Sequence, residues 1–313
     1  MSIAARLGFG CASLGSRVSA RDGLAALERA FDEGITWFDL APSYGDGQAE
    51  SVFSSFAANH RGRLRILTKV GIAPARPNFA ARTLRPIARR VIDAFPQARK
   101  LAARGRDAAT RLPLTGSLIT SSMEASLKRL RVETVHVCAL HDPDPVDLVR
   151  EDVARALEEI VARGLAAKAG IAGSPEAAAT ALATRLPISL VQVADGFGMS
   201  GLEGLPPHLI EPSLTRVTHS HLSRSAPNLR TMISAGEDGA ALLERFGYSG
   251  PIPVSCRRAA LDLARVSNPT GQLLLAAFKP SHLKDNLAML TDDLSGDPAG
   301  LKAALSGAPI SRT

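Results

Sequence analysis

The chain has 313 residues, of which 45% are hydrophobic and 21% are charged, and it carries a formal net charge of +7. This composition excludes an intrinsically disordered protein, and the length allows a large core that needs neither a disulfide scaffold nor a structural metal. Residues 73–117 hold ten basic and two acidic residues, against 27 and 28 elsewhere, so the excess charge is local and argues against a nucleic-acid-binding fold.

Short apolar segments alternate with amphipathic segments along the sequence. Strands are predicted at residues 7–12, 35–39, 65–70, 134–140, 166–172, 190–193, 214–220 and 273–278. Helices are predicted at residues 20–33, 48–59, 121–130, 149–161, from 175 onward, and at 237–246, 256–266 and 281–290. Eight strand–helix repeats predict an α/β protein with a parallel sheet closed into a (β/α)₈ TIM barrel. A doubly wound open sheet is the main alternative.

Two serines mark predicted helix starts. Ser19 is followed three residues later by Asp22, and Ser121 is followed by Glu124, so each pair is a candidate capping box. In the helix that follows Ser121, the apolar spacing predicts that one face is buried against the sheet.

The basic segment 73–117 is too long for an ordinary connection between a strand and a helix. We therefore expect a long basic helical insertion after the third strand, within a single barrel domain that spans residues 1–313. A helical lid or rim beside the mouth of the barrel could steer an anionic cofactor or an acidic substrate, or contact another subunit.

Four polar residues fall at the ends of predicted strands, where parallel barrels carry their functional groups. Asp39 ends the second strand, Tyr44 follows five residues later, Lys69 lies near the end of the third strand and His141 follows the fourth. A buried Lys69 needs a partner, for which Asp39 is suitably placed. A cation beside a phenol lowers the pKa of the phenol, so these residues predict a tuned acid/base at Tyr44.

The same residues carry a resemblance to a known family. The run Gly34-Ile-Thr-Trp-Phe-Asp39-Leu-Ala-Pro-Ser-Tyr44-Gly45 with Glu50 resembles the signature of the aldo/keto reductase superfamily. Further similar runs are Leu67-Thr-Lys69, Ser126-Leu-Lys-Arg-Leu130, Ala139-Leu-His141, Gly170-Ile171, Val191-Gln192 and the run from Lys279 to Asn286. The resemblance covers nearly the whole chain, and the Ala-Pro after Asp39 looks most like members that act on sugars and related hydroxylated aldehydes.

This resemblance implies a barrel that binds a nicotinamide dinucleotide, NADP(H) rather than NAD(H), without a metal, and that interconverts a small carbonyl compound and an alcohol. It implies that Tyr44 is the general acid/base, that Lys69 held by Asp39 tunes it, and that His141 orients the carbonyl. The cofactor contacts that the resemblance implies are Gly10, Cys11, Ser174, Gln192, His219, Lys279, Ser281, His282 and Asn286.

Four positions depart from the pattern of that family. After the fifth strand the family has Ser-Asn, which grips the nicotinamide carboxamide, whereas this chain has Ala172 and Gly173, with Ser174 as a candidate replacement. The aromatic residue that stacks under the nicotinamide corresponds to His219, and the Arg near the 2′-phosphate corresponds to His282.

The sequence leaves other functional classes as alternatives to this resemblance. A Rossmann glycine turn at Gly8-Phe-Gly10 has the wrong spacing and does not open directly into a helix. A metal-dependent barrel hydrolase would use His141, His219 and His221 with Asp39. A third alternative is a non-catalytic nucleotide-binding or regulatory protein on the same fold.

The remaining expectations concern location and partners. The three cysteines are far apart and no apolar run is long enough to span a membrane, so we expect a cytoplasmic protein without a membrane or nucleic-acid partner. The sequence leaves the substrate and the oligomeric state open.

Overall fold

The computed structural model describes residues 3–73, 112–236 and 238–306. Eight parallel strands form one closed barrel in chain order, with the last strand pairing with the first. The strands are β1 Leu7–Gly10, β2 Trp37–Asp39, β3 Arg65–Val70, β4 Val135–His141, β5 Ala166–Ala172, β6 Leu190–Ala194, β7 Thr215–His219 and β8 Gln272–Leu275. The predicted TIM barrel is therefore confirmed, and the open-sheet alternative is wrong.

Helices surround the barrel. In the described part of the chain they are α1 Ile3–Arg6, α2 Ala20–Asp32, α3 Ala49–Asn59, α4 Gly116–Leu130, α5 Glu151–Ala162, α6 Pro175–Ala183, α7 Ala226–Ser234, α8 Gly239–Arg245, α9 Ile252–Ser267, α10 Pro280–Thr291 and α11 Pro298–Ser306. Short 3₁₀ turns lie at Tyr44–Gly47, Pro145–Asp147, Gly201–Gly204 and Pro207–Leu209, and a π-helical turn lies at His221–Ser225.

The buried apolar side chains form three clusters. A large cluster fills the layer between the strands and the surrounding helices. A second cluster lies among α7, α8, α9 and α11. A third, smaller cluster fills the interior of the barrel and consists of Trp37, Leu67, Val137, Ala139, Ala172, Leu190, Val217 and Leu274. Because side chains alternate along a strand, this inner cluster shows which residues of each strand point into the barrel.

Helix caps confirm some predicted starts and correct one. The backbone N–H of Asp22 donates to the Ser19 hydroxyl at 3.1 Å, as predicted for the start of α2. The predicted start at Ser121 is wrong, because the side chain of Thr115 caps α4 six residues earlier. At this earlier start the Gly116 N–H also donates to the carboxylate of Asp152 on α5, a contact between helices that local sequence does not reveal.

The predicted insertion lies mostly outside the described residues, since 74–111 are not part of them. Residues 112–115 lead into α4, and residues 116 and 117 begin that helix. No helix in the described part of the chain combines the length and apolar character that a membrane span requires.

Candidate active site

Five of the predicted site residues lie at one end of the barrel interior. Each comes two residues after a member of the inner apolar cluster: Asp39 after Trp37, Lys69 after Leu67, His141 after Ala139, Gln192 after Leu190 and His219 after Val217. Four of them lie at or next to the C-terminal end of their strands, whereas Gln192 lies in the middle of β6. A spacing of two keeps these side chains on the inner face. The fold therefore collects polar side chains from five strands above an apolar plug.

A network of hydrogen bonds joins three of the four candidate catalytic residues. Lys69 is 1% exposed, and its Nζ donates to Asp39 Oδ1 at 2.5 Å, to the Leu40 carbonyl at 3.0 Å and to the Tyr44 hydroxyl at 3.0 Å. The Tyr44 hydroxyl also lies 3.3 Å from Asp39 Oδ2, to which it can donate. All three ammonium hydrogens of the buried lysine thus have acceptors, as a buried cation requires.

His141 completes the group from the neighbouring strand. Its ring meets the ring of Tyr44 edge to face, with centroids 5.9 Å apart. Both side chains line the same cavity. A small molecule in this cavity can therefore contact the phenol and the imidazole together.

A glycine fixes the position of Tyr44. Gly45 has φ of 59°, and a Cβ at this residue would lie 1.7 Å from the carbonyl oxygen of Leu14. The Gly45 N–H donates to the Ala12 carbonyl at 3.1 Å, which ties the turn to the loop after β1. Only glycine satisfies both the backbone conformation and the close approach, which explains why Gly45 must follow the tyrosine.

Burial shifts the pKa values of both Tyr44 and Lys69. Burial raises the pKa of Tyr44 well above its ordinary value of 10, and the charge of Asp39 adds to this effect. Burial lowers the pKa of Lys69, while Asp39 opposes the change. The pKa of Tyr44 is therefore shifted upward overall, not downward as the sequence predicted, with desolvation and the charge of Asp39 as the largest causes. The phenol keeps its proton at neutral pH.

The cavity above this network has a volume of about 520 Å³. Besides the catalytic candidates, its lining includes side chains from the loops after β4, β5, β6 and β7, namely Asp142, Ser174, Pro175, Met199, Ser200, His219 and Arg224, with Ala172, Gly173, Gln192 and Ala194. Met199 and Pro175 are the larger apolar side chains of this described lining and the other lining residues are polar or small, so the cavity suits a polar ligand.

Gln192 presents a vacant acceptor to this site. Its Nε2 donates to Asp39 Oδ1 at 3.3 Å across the barrel interior. Its Oε1 is buried and has no hydrogen-bond partner among the described residues. A buried acceptor of this kind is costly unless a ligand or water donates to it. The Oε1 of Gln192 therefore suits the N–H of a ligand amide.

Two other predicted cofactor contacts line the same cavity. The hydroxyl of Ser174 accepts from the backbone N–H of Ala177 and thereby caps α6. His219 pairs through Nδ1 with the Ser220 hydroxyl at 2.8 Å, and burial lowers its pKa to about 4. The imidazole of His219 is therefore neutral at physiological pH.

The remaining predicted cofactor contacts lie away from that cavity. Gly10 ends β1 beside Asp39, and the side chain of Cys11 is fully buried, with Sγ 3.7 Å from the Phe9 carbonyl. A contact of the Cys11 thiol with a ligand would therefore require movement of the chain. A Cβ at Gly10 would lie 3.7 Å from the Leu275 carbonyl oxygen and 3.8 Å from Ala276 Cβ, and the close approach of a cofactor there stays a prediction.

The C-terminal contacts belong to α10. Lys279 precedes the helix and lines a separate cavity with Arg17 and Arg29, while Ser281 and His282 are exposed in the first turn. Asn286 is buried, and its Oδ1 accepts from Arg257 at 3.1 Å. The predicted adenine contact of Asn286 would therefore compete with this hydrogen bond.

The metal-site alternative finds no support in the described residues. They contain no group of three or more His, Cys, Asp or Glu side chains arranged to hold a metal ion. His221 is buried near Asp195, whose charge raises its pKa against the lowering by burial, and it does not share the cavity lining of His141 and His219.

Sequence reasoning missed Asp142 and Arg224, which also line the cavity. Asp142 directly follows His141 at a strand end, so the rule that identified His141 would have found it. Arg224 lies in the π-helical turn, which has no signal in the sequence pattern.

The sequence model of the aldo/keto reductase family matches residues 6–194, which include β1 to β6 and all four candidate catalytic residues. The chain belongs to this family. It is therefore an NAD(P)-dependent oxidoreductase that acts on carbonyl and alcohol groups.

Two named relatives are similar to this aldo/keto reductase over different shares of its length. D-threo-aldose 1-dehydrogenase from Pseudomonas sp is 27% identical, with 97% of this chain and 94% of the relative covered. Pyridoxal 4-dehydrogenase from Microbacterium luteolum is 41% identical over 83 residues, which are 26% of this chain and 24% of the relative.

Solved structures share the fold. An aldo-keto reductase from Klebsiella pneumoniae in complex with NADPH has a TM-score of 0.68 at 20% identity, with 98% of this chain and 93% of that chain covered. The glycerol dehydrogenase from Gluconobacter oxydans has a TM-score of 0.69 at 19% identity, covering 98% and 94%. At these identities the likeness concerns the fold alone.

Proposed function

We propose that this aldo/keto reductase interconverts a hydroxylated aldehyde or sugar and its alcohol or lactone counterpart, with Tyr44 as the general acid/base. The observation that carries the proposal is the Lys69 Nζ lying 3.0 Å from the Tyr44 hydroxyl, with Asp39 bonded to both, at the floor of an open polar cavity.

The residues divide the proton chemistry as follows. Tyr44 holds a proton at neutral pH because its pKa is raised, and it donates this proton to a carbonyl oxygen during reduction. The Lys69 ammonium then stabilises the phenolate that forms 3.0 Å away. His141 shares the cavity with Tyr44 and orients the oxygen. In the oxidative direction, Tyr44 accepts the proton.

The donor set of the site fits a nicotinamide dinucleotide, which supplies or accepts the hydride when bound. Gln192 Oε1 is a buried acceptor suited to the amide of the nicotinamide, and the neutral ring of His219 offers a flat apolar face. Lys279, Ser281 and His282 at the start of α10 are placed to hold phosphate groups on the adenosine side, with the helix N-terminus adding favourable charge. Among these residues, Lys279 and His282 can bind the additional phosphate of NADP(H), which favours NADP(H) over NAD(H).

The substrate class rests on the lining of the cavity. Asp142, Ser200 and Arg224 offer polar groups near the four candidate catalytic residues, and Met199 and Pro175 are the larger apolar side chains among the described residues that line the cavity. Such a lining suits several hydroxyl groups better than an aromatic or aliphatic aldehyde. The name of the relative D-threo-aldose 1-dehydrogenase supports the same class.

The decisive experiment replaces Tyr44 by Phe. We expect kcat/KM for aldoses and small hydroxyaldehydes to fall by about 10³-fold, while the Kd of NADPH changes less than about twofold. The chain has one other tyrosine, Tyr248, which is buried in the helical cluster, so Tyr248→Phe is the matched control. That variant should keep wild-type kcat/KM.

Three outcomes would contradict the proposal. Full activity in Tyr44→Phe would remove the role of Tyr44. Nucleotide binding by the wild type without turnover of any carbonyl or alcohol would favour the non-catalytic alternative. A wild-type protein that binds neither NADPH nor NADH would remove the oxidoreductase assignment of this site.

A further inference from the structure

The site lacks the side chain that should grip the nicotinamide amide from β5. Residue 173 is glycine, and residue 172 is alanine, so neither offers a polar side chain. Both nevertheless line the cavity beside Gln192 and His219. The strand positions are therefore correct for such a grip, and the donor or acceptor has to come from elsewhere.

Asp142 occupies the neighbouring space. A Cβ built on Gly173 would lie 3.4 Å from Asp142 Oδ1 and 3.4 Å from Asp142 Cα. The loops are held together at this point, because the Asp142 N–H donates to the Ala172 carbonyl at 2.7 Å. The carboxylate thus reaches the place that a side chain at 173 would enter.

The backbone of Asp142 suits this placement. Its φ is 43°, in the left-handed region that Asp and Asn tolerate better than most residues. Asp142 lines the cavity together with His141 and Tyr44. Its charge contributes to raising the pKa of both Tyr44 and Lys69, which agrees with a position close to the reacting end of the cavity.

We propose that Asp142 replaces the missing side chain at 173 by accepting a hydrogen bond from the nicotinamide amide, and that its charge favours the oxidised cofactor. This inference rests on the proposed function. The amide is the same in both redox states, whereas the nicotinamide ring is cationic only when it is oxidised. A nearby carboxylate therefore stabilises the oxidised form selectively.

The proposal assigns two contributions to Asp142, a hydrogen-bond acceptor and a negative charge, and different variants remove them. Asp142→Asn keeps an acceptor oxygen of the same shape and removes the charge. Asp142→Ala removes both. Asp142→Ala combined with Gly173→Asn returns the acceptor to β5 without the charge, and Gly173 has an ordinary φ that a side chain can adopt.

The test measures the Kd of NADP⁺, NADPH, NAD⁺ and NADH by calorimetry for each protein. In Asp142→Asn we expect the ratio of the oxidised to the reduced Kd to rise about tenfold, from a unit charge at roughly 6 Å. The reduced Kd should change less than about twofold. Asp142→Ala should weaken both forms, and adding Gly173→Asn should restore the reduced form alone.

The matched control is Asp144→Asn, two residues away on the same loop. Asp144 caps the turn at Pro145–Asp147 and lines a neighbouring cavity with Asp142, but not the one that holds Tyr44. Its variant should keep the wild-type ratio, and thermal melting checks that all variants fold.

An unchanged ratio in Asp142→Asn, or an equal change in Asp144→Asn, overturns the inference and leaves the proposed function intact. If the wild type binds none of the four nucleotides, the proposed function fails, and the inference fails with it.

Discussion

The ends of β2 and β3 carry a network in which Lys69 donates three hydrogen bonds and Asp39 accepts from Lys69, Tyr44 and Gln192. The ends of β5 and β6 instead carry Ala172, Gly173 and an unused oxygen on Gln192. The proton-transfer side follows the family pattern, and the cofactor side departs from it. A proton-transfer group needs fixed partners at fixed distances, whereas an amide can be held by any suitably placed acceptor.

The largest expected effect comes from a variant that breaks the hydrogen-bond network of Asp39, Tyr44 and Lys69. Lys69→Met leaves the Asp39 carboxylate buried without its cation, so the free energy of unfolding should fall by about 3–5 kcal/mol, with loss of activity. Chemical denaturation and steady-state kinetics measure the two effects. The double variant Asp39→Asn/Lys69→Met should recover most of the stability and none of the activity. A loss below about 1 kcal/mol in the single variant would contradict a tightly coupled pair.

A variant on the cofactor side, at Gln192, should change the affinity for nucleotide. Gln192→Met removes the acceptor for the nicotinamide amide, so the Kd of NADPH should rise about tenfold, as expected for one buried hydrogen bond. Gln272→Met is the matched control, because the Oε1 of Gln272 is also buried without a partner, but at the start of β8. Equal affinity in the wild type and Gln192→Met would exclude the amide contact, and fluorescence titration decides the question.

The cofactor side also predicts a pH dependence of stability. Burial lowers the pKa of His219 from 6.5 to about 4 in the folded protein. Between those values the unfolded chain binds a proton that the folded chain does not, so the free energy of unfolding falls as pH drops from 6.5 to 4 and is unaffected above 6.5. The change from 6.5 to about 4 corresponds to about 3.4 kcal/mol, and solvent screening of the partly exposed ring reduces the expected loss to about 2 kcal/mol.

His219→Tyr isolates this contribution. Denaturation of the variant should show a flatter stability profile between pH 6.5 and 4 than the wild type. The larger aromatic ring should also bind nucleotide a few times more tightly. Identical pH profiles for the two proteins would show that another group causes the acid dependence.

The smallest effect concerns Ser174, where sequence and structure suggest different roles. Ser174→Ala removes the cap of α6 and should lower the free energy of unfolding by about 1 kcal/mol. Ser174→Asp, which can also cap, should retain the stability. Nucleotide Kd should change less than about threefold in the alanine variant. A tenfold loss of affinity at unchanged stability would make the hydroxyl a cofactor ligand instead.

The features that the sequence predicts are those that short segments encode. The eight strands follow from apolar segments of suitable length, and β3 and β5 match their predicted bounds. The tetrad follows because strand ends meet at one edge of a parallel barrel. Lys69 in an apolar strand requires a carboxylate, and Asp39 on the adjacent strand is within reach.

The features that sequence reasoning missed depend on contacts between distant segments. Val149 and Val161 fit the helical spacing but are 67% and 38% exposed. Val149 precedes α5, which begins at Glu151, and Val161 lies at the edge of the face of α5 that packs on the barrel. The approach of Asp142 to Gly173 joins the loops after β4 and β5, and no local pattern encodes such a distance. The raised pKa of Tyr44 depends on burial, which the sequence does not specify.

Trp37 is the single tryptophan of the chain, and its indole packs inside the barrel against Gly8, where a Cβ would lie 2.8 Å from the ring. Tryptophan fluorescence therefore reports the interior of the barrel and nothing of the cluster among α7, α8, α9 and α11, which contains Tyr248 but no tryptophan. Circular dichroism reports both regions through their helices. Coincident transitions in the two signals would mean that the helical cluster melts together with the barrel.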